Sequence, residues 1–99
     1  MDVLTLPQLA VPTAHEAVAI VNKWLHGDIG MAVHATTAHF DRATFYWHVP
    51  IELAYASHGT LGVVGDVYLH AATGAYAGRP AAEELRRRAE ALAAACGID

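Results

Sequence analysis

Three observations predict an α+β fold of order α-β-β-β-α, a three-stranded antiparallel sheet with both helices on one face. Residues 44–74 hold two runs of period-two alternation joined by the turn signal Ser57-His58-Gly59-Thr60. Residues 13–27 open on a capping sequence and carry apolar side chains at three- and four-residue spacing. Residues 80–97 begin with proline and end with glycine, the asymmetry expected of a helix. A chain of 99 residues is long enough for one modest core. Residues 13–99 are therefore read as one domain and residues 1–12 as an extended arm.

Pro7 and Pro12 keep the arm out of helix. Val3, Leu4, Leu6, Leu9 and Val11 leave two readings open, a tail packed on its own core or an arm reaching a partner subunit. The first helix starts at Thr13-Ala14-His15-Glu16, where the Thr13 hydroxyl can cap the Glu16 amide. Ala17, Val18, Val21, Trp24 and Leu25 make its apolar stripe, and Gly27 fits the left-handed position that ends it. Residues 30–40 read as the first strand, with Met31, Val33 and Ala35 in the core if the link to the next strand is a simple hairpin. If Asp41-Arg42-Ala43 makes a simple hairpin link, His34 and Thr36 share a face with His48.

In the central pair, Phe45, Trp47, Val49, Ile51, Leu53 and Tyr55 form one face of the first strand. Leu61, Val63, Val67 and Leu69 do so in the second, leaving Val64, Asp66, Tyr68 and His70 opposite. Pro50 predicts a bulge or a locally open ladder. The last helix begins at Pro80, carries Glu83–Arg87 and Glu84–Arg88 pairs, and presents a narrow seam of Leu85, Ala89, Leu92 and Cys96. With both helices on one side, the other face of the sheet stays open.

An apolar fraction of 55% beside a charged fraction of 16% leaves apolar side chains outside so small a core, which favours a homodimer. A net charge of −4 disfavours nucleic acid, since phosphate binding needs a positive face. Arg86-Arg87-Arg88 reads as a solvated helix face beside Glu83, Glu84 and Glu90. The single cysteine, Cys96, excludes an internal disulfide, and Met1-Asp2-Val3-Leu4 lacks the basic region and long apolar run of a signal peptide. No apolar run reaches the ~18 residues of a membrane span. Cytoplasm is the expected compartment.

Seven histidines are the most conspicuous chemistry. Strand pairing would bring His48 near His70 or Tyr68, with His34 approaching from the neighbouring strand and Glu52 and Asp66 on the same side. Zinc wants about four nitrogen, sulfur or oxygen ligands, so His34, His48 and His70 are the candidates that would have to hold it. No H-x-x-x-H or C-x-x-C spacing supports them, and no metal or other cofactor is predicted. Nor is there a G-x-S-x-G, a phosphate-binding loop or a dinucleotide fingerprint, so an enzyme is not predicted. Trp47 and Tyr55 fall on the core-facing set, and Glu52 and Asp66 on the exposed set would repel phosphate, so the aromatic residues do not read as a base-stacking platform. The functional lead is the open face, Tyr46, His48, Glu52, Val64, Tyr68 and His70, whose mixture of aromatic, apolar and titratable groups suits self-association or an unidentified protein partner. A small ligand or metal held by its histidines is the alternative.

The stretch Phe45-Tyr46-Trp47-His48-Val49-Pro50-Ile51, followed by Leu61 to Gly74, resembles the end of PepSY-type domains, in which a tryptophan-containing strand runs into a strand closed by a D-a-x-T-G turn. Here Thr73-Gly74 keeps the Thr-Gly, with His70 where an aspartate is usual. The helix carrying Ala17, Val18, Val21 and Trp24 also fits, so the resemblance covers residues 13–78. The chain is similar as well to small uncharacterised bacterial proteins, cyanobacterial ones among them, with a W-x-V-P strand. PepSY domains are mostly secreted or membrane-attached and are thought to bind or inhibit partner proteins such as peptidases. The resemblance thus implies a partner-binding module and no catalytic residue.

Overall fold

The computed structural model describes residues 9–30 and 32–98. Its elements are α1 (Ala14–Asp28), β1 (Val33–His34), β2 (His39–Asp41), β3 (Tyr46–Tyr55), β4 (Gly59–His70), β5 (Tyr76–Gly78) and α2 (Ala82–Ala95). The α+β class and the antiparallel pairing agree with the sequence reading, but among the described residues the sheet has five strands rather than three. The expectations for residues 1–8 of the arm and for Met31 lie outside the described residues.

Helix α1 starts where the capping sequence places it. Thr13 Oγ1 accepts the Glu16 N–H at 3.1 Å, while the Glu16 carboxylate accepts from the Thr13 hydroxyl instead of reaching the Thr13 amide. Ala17, Val21 and Leu25 are buried, one per turn. Gly27 does not end the helix. It keeps helical geometry, and the chain turns at Ile29 and Gly30, whose amides both donate to the Leu25 carbonyl at 2.8 and 2.9 Å.

Strand β3 is the spine of the sheet. Along one edge it pairs with β4 over its whole length, and β5 extends the sheet beyond β4 at Tyr68 and Leu69. Its other edge is shared, with β2 opposite Tyr46–His48 and β1 opposite Glu52 and Leu53. The single first strand expected over residues 30–40 is broken because Ala35 turns to α1. Its N–H donates to Asn22 Oδ1 at 2.8 Å and its carbonyl accepts from Asn22 Nδ2 at 2.9 Å. Both backbone groups of Ala35 are satisfied without a strand partner, so the ladder can lapse there. The interruption shifts parity, and His39, an odd-numbered residue, lies directly opposite His48.

Pro50 sits regularly opposite Asp66. The Ala54 amide donates to the Ala32 carbonyl, so even-numbered residues of β3 aim their backbone groups at the β1/β2 edge. The missing donor of Pro50 therefore falls in the gap between those two short strands. The irregularities lie one and three residues further along and on the other strand. Ile51 faces Gly65 and Glu52 faces Val63, which leaves Val64 unpaired; Leu53 faces Gly62 and Ala54 faces Thr60, which leaves Leu61 unpaired. These are β-bulges in β4, and each reverses the inside-outside alternation beyond it. Val64 is buried at 6% exposure while Val63 is 56% exposed, the reverse of the sequence reading.

Other corrections are local. The β3–β4 turn spans residues 56–58, and Gly59, with φ +73°, already faces Tyr55. Phe45 is not in the core: it lies in the turn before β3 with φ +60°, 43% exposed, its ring 5.4 Å edge-on from Phe40. Helix α2 begins at Ala82, two residues after Pro80, and Glu84 takes both Arg87 and Arg88 as partners in place of two separate pairs. Cys96 is exposed, and Ala93 fills the buried position beside Leu85. Gly97, with φ +80°, closes the helix as read.

The core lies on one face of the sheet. Trp47, Val49, Ile51 and Leu53 of β3 and Val64, Val67 and Leu69 of β4 join Ala17, Val21 and Leu25 of α1 and Leu85 and Ala93 of α2 in one buried cluster. Val11 belongs to it too: its amide donates to the Ala71 carbonyl at 3.0 Å, and its carbonyl accepts from the Trp47 indole Nε1 at 2.8 Å. This last part of the arm thus packs on its own core.

Candidate functional site: the open sheet face

With both helices on the odd-numbered side of β3, the even-numbered side chains form the uncovered face. Cross-strand pairing sets its rows. Tyr46 stands opposite His70 with rings 4.7 Å apart and perpendicular, and His48 stands opposite Tyr68 with rings 4.9 Å apart and nearly parallel. Both contacts suit aromatic quadrupoles and fix the rings on a pleated surface. Tyr68 is 40% exposed. The bulge at Val64 brings Val63 onto this face opposite Glu52, whose Oε1 accepts from the Thr36 hydroxyl at 3.4 Å.

His48 is the most constrained group. Its Nε2 lies 2.7 Å from Asp66 Oδ1, with both side chains partly exposed. A carboxylate only accepts, so in the neutral ring the proton sits on Nε2 and Nδ1 carries the lone pair. On the other side, the His39 ring centre is 6.4 Å from that of His48. His39, Asp41, Thr44, Tyr46, His48 and Tyr68 line a shallow recess of about 480 Å³ that also reaches Phe40 and Ala77. This arrangement offers stacking surfaces, one oriented imidazole, carboxylate oxygens and the hydroxyls of Thr44, Tyr46 and Tyr68. Ser57 is engaged elsewhere, its Oγ 2.7 Å from His58 Nδ1 in the β3–β4 turn.

Of the residues read from sequence, Tyr46, His48, Glu52, Tyr68 and His70 do share the face. Val64 does not, and Val63 takes its place. The histidine set His34, His48 and His70 is not brought together, because His34 faces Glu52, His48 faces Tyr68 and His70 faces Tyr46. Among the described residues no three His, Cys, Asp or Glu side chains converge to hold a metal ion. His39 was missed because its place depends on the Ala35 interruption.

A second cluster lies on the helix side, at the β5 edge. The Arg79 guanidinium sits 4.2 Å from the Tyr76 ring centre and 4.8 Å from that of Trp24. Burial pushes the Tyr76 hydroxyl above its ordinary value; the Arg79 charge and hydrogen bond oppose this, and Asp28 adds to it.

No family model, curated protein or solved structure matches the chain. Among the described residues no helix is long and apolar enough to cross a membrane.

Proposed function

We propose that the chain is a non-enzymatic protein-binding or regulatory module, PepSY-like and cytoplasmic, that works through the open sheet face and pairs through it with a second copy. An inhibitor- or antitoxin-like role falls in the same class. One observation carries the reading: both helices cover one side of the sheet, while the other presents Val63 and Tyr68, 56% and 40% exposed, among fixed aromatic rows. The helix, the hairpin and the turn at Thr73-Gly74, where Thr73 Oγ1 accepts from the Ala75 amide at 3.2 Å, support the PepSY-like part. A small-ligand or metal-binding role for the same face is the second reading, favoured by the Asp66-oriented imidazole.

Sedimentation velocity in EDTA tests the first. Wild-type protein is expected to dimerise as concentration rises, and Val63→Asp to shift it toward monomer with an unchanged far-ultraviolet spectrum. A wild type that stays monomeric throughout, or a Val63→Asp variant that dimerises equally, would sink the docking-face reading.

A further inference from the structure

The geometry points to a zinc half-site formed by His39 and His48, which we propose is completed by the same two histidines of a second copy. This deepens, and rests on, the reading of the open face as a docking surface. The two residues are direct cross-strand partners, so both side chains rise from the same face. Zinc lies about 2.0–2.1 Å from each ligating nitrogen, so two imidazoles on one ion have ring centres on the order of 5–6 Å apart. The observed 6.4 Å is within a small side-chain rotation of that separation.

His48 is prepared for the role by its neighbours. Asp66 takes Nε2 and leaves Nδ1 with the lone pair, the carboxylate–histidine arrangement that orients metal ligands. Tyr68 stacks on the ring and fixes its plane. Among the described residues His39 has no hydrogen-bond partner that would compete for its nitrogens.

Two imidazoles are half of a tetrahedral set, and no third ligand converges from this chain's described residues. The remainder must come from outside. The charge of the face also suits a cation: Asp41, Glu52 and Asp66 lie on it with no lysine or arginine from its paired strands. Two copies meeting face to face bring these carboxylates together, and a divalent ion between the His39/His48 pairs offsets that repulsion. A second copy related by a two-fold axis supplies two more imidazoles of the same geometry.

The test uses untagged full-length chain stripped with EDTA, then titrated with zinc chloride alone. Sedimentation is expected to show zinc strengthening dimerisation at least tenfold, with one ion per two chains, reversed by chelator. His39→Gln and His48→Gln should each abolish the zinc effect, whereas His26→Gln, on α1, should leave it intact. Asp66→Asn, acting through His48, should weaken zinc affinity about 10–100-fold by chelator competition. A mass that ignores zinc, or a zinc effect that survives both histidine variants, overturns the half-site. Equal dimerisation in EDTA and in zinc also overturns it, while leaving the docking face standing. Loss of the face itself is read separately, from Val63→Asp in EDTA.

Discussion

Asn22 decides more of the topology than its place on a helix would suggest. Its amide donates to the Ala35 carbonyl and its oxygen accepts the Ala35 N–H, at 2.9 and 2.8 Å, so one side chain replaces two ladder bonds. Asn22→Asp keeps the acceptor but sets a carboxylate against a carbonyl oxygen. Since an unpaired, part-buried polar group costs about 1–3 kcal/mol, this single-atom change is expected to lower stability by about that much, and Asn22→Ala by a similar or larger amount. Urea denaturation checks it, and a variant as stable as wild type would show that Ala35 finds other partners. No pattern in the sequence marks Asn22. It is one polar residue on a helix with an apolar stripe, and its partner is 13 positions away. His39 was hidden for the same reason, since its face follows from a break in the strand that a distant side chain makes possible.

Among the elements, the strands were legible where alternation is unbroken and illegible where bulges reset it. Trp47, Val49, Ile51 and Leu53 are buried as their spacing requires, because β3 contains no bulge. In β4 the two unpaired residues, Leu61 and Val64, are apolar like their neighbours, so period alone cannot say which residue is extra. The bulges fit the packing of α2, which approaches the sheet at Gly65. A Cβ there would lie 3.1 Å from the Cδ1 of the buried Leu85, tighter than a relaxed contact, and 3.5 Å from Pro80 Cγ, an ordinary one. Gly65→Ala is expected to destabilise by about 1–3 kcal/mol through overpacking, even though alanine suits a strand no worse than glycine. Gly27 makes the opposite case. It lies inside α1, where an added Cβ meets nothing within 4 Å, and Gly27→Ala should stabilise by about 0.5–1 kcal/mol. Paired chemical denaturation of the two variants distinguishes steric from propensity effects, and shifts of the same sign would contradict the close approach of α2 at Gly65.

At the scale of the molecule, the layers are tied at their margins as well as through the core. Arg86 donates to the Asp28 carbonyl and so links α2 to the end of α1. Arg79, against the rings of Trp24 and Tyr76, clasps β5 to α1, with the two rings 6.0 Å apart. Cation–π contacts of this kind are worth on the order of 0.5–1 kcal/mol where exposed. The clasp has a pH signature. Burial makes the folded chain hold the Tyr76 proton to higher pH than the unfolded chain does, with Asp28 adding to the effect and Arg79 only partly opposing it. The resulting stabilisation is fully present below the ordinary tyrosine value of about 10 and drains away as pH rises through the raised value. Global stability should therefore fall across that alkaline window, and Tyr76→Phe, which has no proton to lose, should flatten the fall. Urea midpoints measured from about pH 9 to about pH 11 read both curves. Equal slopes for wild type and Tyr76→Phe would mean that Tyr76 ionises alike in the folded and unfolded chain.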